Sequence, residues 1–181
     1  MFGFKQNGKA DNGRNQASIG VQLIASLLVC YPEIYTVTYE PKDTEIILDF
    51  VVKGSPASHE EMEEFANLVD KSVQTYHDLH GSGPVWLALD ADVNGSRMTV
   101  HVRRQLATML RGELDLLAEL FCDKFGDDLQ IDVHTLDSLE PDFSTMQSNV
   151  LDQMFDMAQS SRIREKMIGM RDKDKVVVYN R

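Results

Sequence analysis

Twice along this chain the spacing of apolar residues changes in the same way, from every second position to every third or fourth. Tyr35-Thr36-Val37-Thr38-Tyr39 alternates, Pro41-Lys42-Asp43-Thr44 reads as a turn, and Ile46 to Val52 is the returning strand, which predicts a β-hairpin. Closing that loop pairs Tyr39 with Ile46, Val37 with Leu48 and Tyr35 with Phe50 on the core face. Thr36, Thr38, Ile47, Asp49 and Val51 fall on the other face. Ser58 and Glu61 then have the spacing of a capping box, and Met62, Phe65, Ala66, Val69, Val73 and Tyr76 form one stripe of the helix behind it. Gly81 and Gly83-Pro84 end that helix.

The second copy begins near Val85. Asn94-Gly95 between alternating segments predicts a type I′ turn, whose central residues both need positive φ. The register set by that turn pairs Ala91 with Met98, Leu89 with Val100 and Leu87 with Val102 toward the core. On the other side it pairs Asp92 with Arg97, Asp90 with Thr99, Ala88 with His101 and Trp86 with Arg103. The following helix places Leu106, Leu110, Leu114, Leu117, Phe121 and Phe125 in its stripe, with Gly112 inside it. Two such units predict an α+β fold: a mainly antiparallel sheet with helices on one face.

The flanking segments add elements to this frame. Residues 1–16, rich in Gly, Asn and Lys, read as a flexible arm, and 17–181 as a single domain. Ser18 is the expected N-cap of a first helix ending before Pro32. Leu129 to His134 alternates as a fifth strand. After Pro141 a long C-terminal helix is expected to about Met167, with Met146, Met154, Met157, Met167 and Met170 in or near it; such methionines fill cores more often than they form recognition surfaces. Lys175 to Arg181 reads as a last strand.

Charge narrows the function classes. The net charge is −11 over 181 residues, and residues 162–181 run the other way, with seven Lys/Arg against Glu165, Asp172 and Asp174. An acidic body repels phosphate backbones and anionic membranes, so nucleic-acid and membrane partners are disfavoured. Cys30 and Cys122 offer no disulfide framework or metal spacing. The polar start carries no signal-peptide pattern, and Ile19 to Tyr31 is too short to span a bilayer, so a cytoplasmic location is the expectation.

Candidate chemistry is sparse. His77 and His80 have a spacing that can present two imidazoles to a metal, but histidines also suit the negative end of a helix, and no third ligand follows at a known spacing. No metal or cofactor is therefore expected. Asp90, His101, Asp132 and His134, all assigned to the uncovered sheet face, are the residues that could perform acid–base catalysis. Cross-strand ion pairs and a cation–π contact of Arg103 with Trp86 explain that face without catalysis. Trp86, Arg103, Ile47 and Val51 mix apolar and charged character as the centre of a protein interface does. Arg162, Arg164 and Lys166 are the candidates for phosphate binding.

The chain has no Gly-rich phosphate loop, no G-x-S-x-G and no H-E-x-x-H. The expectation is a non-catalytic binding or adaptor protein that self-associates as a homodimer, or binds another protein, through the open sheet face or the C-terminal helix and strand. The alternatives are a small hydrolase-like or metal enzyme using His and Asp on that face, and an RNA- or ribosome-associated factor using the basic C-terminal segment.

Overall fold

A computed structural model describes residues 9–54, 56–132, 141–173 and 175–180. Its elements are α1 (Lys9–Cys30), β1 (Thr36–Glu40), β2 (Glu45–Lys53), α2 (His59–Leu79), β3 (Leu87–Asn94), β4 (Arg97–Gln105), α3 (Arg111–Phe125), α4 (Pro141–Ser160), β5 (Met167–Asp172) and β6 (Lys175–Asn180). The six strands form one open sheet in the order β3-β4-β2-β1-β5-β6 with every neighbouring pair antiparallel. The fold is the α+β architecture that the two repeated units predict.

The first unit forms as its pattern dictates. Tyr39 faces Ile46 and Val37 faces Leu48. Tyr35 lies just outside β1, its N–H donating to the Asp49 carbonyl at 2.8 Å. The Ser58 hydroxyl accepts from the Glu61 N–H at 3.2 Å while the Glu61 carboxylate accepts from the Ser58 N–H at 2.7 Å, completing the capping box. On α2 the buried stripe is Phe65, Val69, Val73 and, one turn further on, His77.

The second hairpin departs from its predicted register by two residues. Asn94 pairs with Arg97, Asp92 with Thr99, Asp90 with His101 and Ala88 with Arg103. The turn is therefore Gly95-Ser96, with Gly95 at φ 62° and neither Asn94 nor Ser96 at positive φ, which is the II′ pattern rather than I′. Asn-Gly is a strong I′ signal, but a glycine can lead a II′ turn equally well. Because the shift is even, every side chain keeps its assigned face. It does bring Arg104 opposite Leu87, on the core side.

Four further expectations are corrected. The helix after β4 is split: Leu106–Thr108 is a single 3-10 turn, and α3 starts only at Arg111. The first helix begins at Lys9, so Ser18 lies within it and its hydroxyl accepts from the Gln22 amide at 3.3 Å instead of capping. Of the expected strand Leu129 to His134, the described residues 129–132 form only an isolated bridge from Leu129 to Val52, and residues 133–140 lie outside the described residues. Finally, α4 ends at Ser160, and the basic segment behind it is the β5–β6 hairpin, which extends the sheet at β1. Met167 is thus a fully buried strand residue and Met154 packs on the core, whereas Met146 and Met157 are exposed.

The helices share one face. Phe50 stacks on Phe121 with ring centroids 3.8 Å apart, and Phe65 meets Phe121 edge-on at 5.0 Å, tying β2 to α3 and α2. α1 lies over β5, β6 and β1, and α4 packs beside it, its Asp152 reaching Arg111 of α3 at 2.9 Å. Close approach occurs at glycines, among them Gly112 and Gly169. Tyr76 occupies the space beside Gly112 where a side chain would project, and Ile24 and Leu28 do so at Gly169.

Gly169→Ala is expected to cost about 1–3 kcal/mol through overpacking against α1. Gly83→Ala, where nothing lies within 4 Å, should change stability by less than ~0.5 kcal/mol. Denaturant midpoints of the two variants measure the contrast.

Candidate functional site on the open sheet face

The face opposite the helices is built by strand alternation. One cross-strand row runs Tyr179, Ile168, Thr38, Ile47, Arg103, Ala88; the next runs Val177, Met170, Thr36, Asp49, His101, Asp90. The β5, β6, β1 and β2 part of it is mostly apolar or Thr, and its Ile, Met and Val side chains are half-buried, with Tyr179 51% exposed at the edge. Val51 is buried on this side, apart from the main core.

The β2–β4–β3 part is polar and paired. His101 Nδ1 lies 2.7 Å from Asp49 and Nε2 3.2 Å from Asp92. Both ring nitrogens face carboxylates, an arrangement fully satisfied only by the imidazolium, which donates from both. Burial pushes the His101 pKa down, but the hydrogen bonds and charges of Asp49 and Asp92 outweigh it, and the net shift is upward. Burial raises the Asp49 carboxyl above its ordinary value, with His101 pulling the other way. Arg103 donates from Nη2 and Nε to one Glu45 oxygen at 2.8 and 3.2 Å, sits 4.0 Å from Asp90, and its guanidinium lies 5.8 Å from the Trp86 ring centroid. The expected Trp86–Arg103 contact is thus present despite the shifted register, whereas Asp92 partners His101 instead of Arg97.

The other sequence candidates are dispersed. Asp132 pairs with Arg171 at 2.9 Å, and its N–H donates to the Pro32 carbonyl at 3.1 Å, placing it at the margin of the sheet rather than beside His101. His134 lies outside the described residues. His77 and His80 diverge: His77 turns into the core, while His80 Nδ1 donates to the Tyr76 carbonyl at 2.7 Å on the surface. Among the described residues no group of three or more His, Cys, Asp or Glu side chains is arranged to hold a metal. Arg162 and Arg164 are exposed, Lys166 is paired with Glu40 at 2.8 Å, and Arg171 is an internal brace donating to the carbonyls of Leu28, Tyr31 and Ile34. The basic residues are thus divided: Arg162, Arg164 and Lys166 precede β5, while Arg171, Lys173 and Lys175 belong to the β5–β6 hairpin.

Sequence patterning missed the most heavily buried charges. Arg104, Glu113 and His77 are all fully buried. Arg104 donates from Nε to Glu113 Oε1 at 2.5 Å and from Nη2 to Oε2 at 3.1 Å, and His77 Nε2 lies 2.8 Å from the same Oε2. Arg104 also donates to the Trp86 carbonyl at 2.6 Å. The signals were in the periodicities: Arg104 is two residues beyond Val102 on β4, Glu113 lies one turn before Leu117 on α3, and His77 follows Val73 by one turn on α2. Each is a polar residue at a core position; Arg104 and Glu113 are fully paired, and His77 joins them through Nε2 while its Nδ1 is buried without a hydrogen-bond partner.

Among the described residues no helix is long and apolar enough to cross a membrane. Comparison with known protein families, with characterised proteins and with solved structures finds no match to this chain.

Glu113→Leu is expected to destabilise the fold by about 3–5 kcal/mol by stranding a buried guanidinium. Adding Arg104→Met should recover much of that loss, and chemical denaturation of the single and double variants reads it. For His101 the folded pKa stands above the ordinary value of ~6.5. Its contribution is therefore complete below ~6.5 and lost as pH rises through the folded value. The stability gap between the wild type and His101→Asn should shrink from pH ~5.5 to ~8.5; a constant gap contradicts the pairing.

Proposed function

We propose that this protein is a non-catalytic binding protein that works as a homodimer, two copies meeting across their open sheet faces. The observation that supports this most directly is the composition of that face. A band of half-buried Ile, Met, Val and Thr side chains lies beside polar groups whose hydrogen-bonding atoms are already committed to one another. A flat surface of this kind suits another flat surface, and none of the clefts lined by residues of the helical side includes His101, Asp49 or Arg103.

Size and charge favour a second copy. Six strands at ~4.8 Å spacing, each of about seven residues at ~3.3 Å rise, give a footprint of roughly 650–700 Å². A standard interface buries about 800 Å² per partner. The face is acidic at its β3 edge, through Asp90 and Asp92, and carries Lys175 opposite Asp172 at its β6 edge. A two-fold axis along the strands lays β3 of one copy over β6 of the other, which keeps the two acidic edges apart. An axis across the strands would stack the acidic edges on each other, which charge repulsion disfavours.

Catalysis draws less support, because Asp90, Asp132 and His101 share no cleft and both His101 nitrogens are engaged. Sedimentation equilibrium should give a dimer, and Ile168→Lys, at a half-buried position on the face, should shift it to monomer with an unchanged circular-dichroism spectrum. A monomer at every accessible concentration, or a dimer indifferent to Ile168→Lys, rejects this reading.

A further inference from the structure

The helices leave part of the inner sheet face uncovered. Leu89, Ala91 and Val93 of β3 point to the same side as Met98, Val100 and Val102. Those β4 residues are buried, yet Leu89 is half-buried, Ala91 exposed and Val93 57% exposed. The placement of α2 accounts for the difference. Toward its C-terminal end Gln74 clamps Val85, donating to its carbonyl at 2.7 Å and accepting from its N–H at 3.1 Å. Toward its N-terminal end Met62 and Ala66 line a groove of about 510 Å³ whose other wall is Leu89, Ala91 and Val93.

Two features of this groove describe its occupant. β3 is an edge strand that pairs with β4 alone, so among the described residues its outer main-chain groups have no strand partner. The charged groups at the margin are mainly carboxylates: Glu63 and Asp90 line the groove with His59, and the exposed Asp70 and Asp92 stand nearby on α2 and β3. Asp92 and Asp90 are partly offset by His101 and Arg103 on the other face.

We propose that the β3 edge and its groove bind an extended segment of a partner protein in which apolar and basic residues alternate, added to the sheet as a seventh strand. Successive side chains of a strand point to opposite faces. The apolar ones would enter the groove between Met62, Ala66 and Val93, and the basic ones would lie beside Asp90 and Asp92. Main-chain hydrogen bonds to β3 supply affinity, and the alternation supplies selectivity. A helix could fill the apolar groove but would leave the β3 main chain unpaired, which is why an extended occupant is favoured. The groove itself lies on the helical side, whereas Asp90 and Asp92 belong to the β3 margin of the open face; Val93→Lys, on the groove side, therefore tests this surface apart from the dimer.

The test uses the full chain and two capped peptides, Lys-Val-Lys-Val-Lys-Val-Lys and its counterpart with Glu in place of every Lys. Titration followed by amide chemical shifts should give saturable binding of the Lys peptide, with changes confined to β3 and the first half of α2. The Glu peptide should bind roughly tenfold more weakly or worse. Asp90→Lys and Val93→Lys, both at exposed positions, should each weaken the Lys peptide while leaving the spectrum of a folded protein. Equal binding of the two peptides, shifts elsewhere on the surface, or binding untouched by Val93→Lys overturns the proposal. So does occupation of β3 by the β6 edge of another copy, seen as concentration-dependent broadening of β3 amides without peptide and its loss in Val178→Lys.

Discussion

The contact on which the arrangement of layers depends is the buried ion pair of Arg104 and Glu113, extended by His77. It joins β4, α3 and α2, and through the Trp86 carbonyl it also holds the chain entering β3. A guanidinium and a carboxylate taken from water cost several kcal/mol each, and that cost is offset only when geometry and remaining hydrogen bonds are complete. Here the carboxylate accepts from Arg104 with both oxygens and from His77 with one. An apolar substitute at these positions could match or exceed it in stability. What the polar set adds is directionality: α2 and α3 sit on the sheet in an orientation that lets Glu113 accept from both Arg104 and His77.

That constraint propagates to the surfaces. With α3 held over β4 and the 3-10 turn at Leu106–Thr108 leading into it, Gln159 of α4 donates to the Leu106 and Met109 carbonyls at 2.8 and 2.7 Å. α4 in turn packs on α1, and α1 lies over β5 and β6. The helical layer is therefore continuous from α3 toward β6 but stops short at the outer half of β3. The four described helices lie on one side, and among the described residues no helix covers the other side of the sheet. Both proposed surfaces are thus consequences of how the helices are distributed over six strands.

The ion pairs on the open face have a different character from the buried set. Asp49 and His101 are neighbours on adjacent strands, partly desolvated by the sheet itself, and they titrate against each other. Glu45 is nearly buried under Arg103. These groups fix the local shape of the surface without needing a partner to complete them, as a preformed interface does.

Local periodicity was enough to identify the first hairpin and its register, the capping box at Ser58 and the inward or outward orientation of nearly every strand residue. These are decided within a few residues by chirality, pleat and turn geometry. The type of the second turn was not, because Asn94-Gly95 and Gly95-Ser96 are both acceptable turns and the two-residue shift between them leaves every side chain on the same face. Nor was the strand β5, whose Met167-Ile168-Gly169-Met170 reads equally as a helix end until Gly169 is needed beneath Ile24 and Leu28. The clustering of Arg104, Glu113 and His77 is the clearest case. Each looks like a surface residue by type, and it is the meeting of three elements distant in sequence that gives each its partner and makes its burial tolerable.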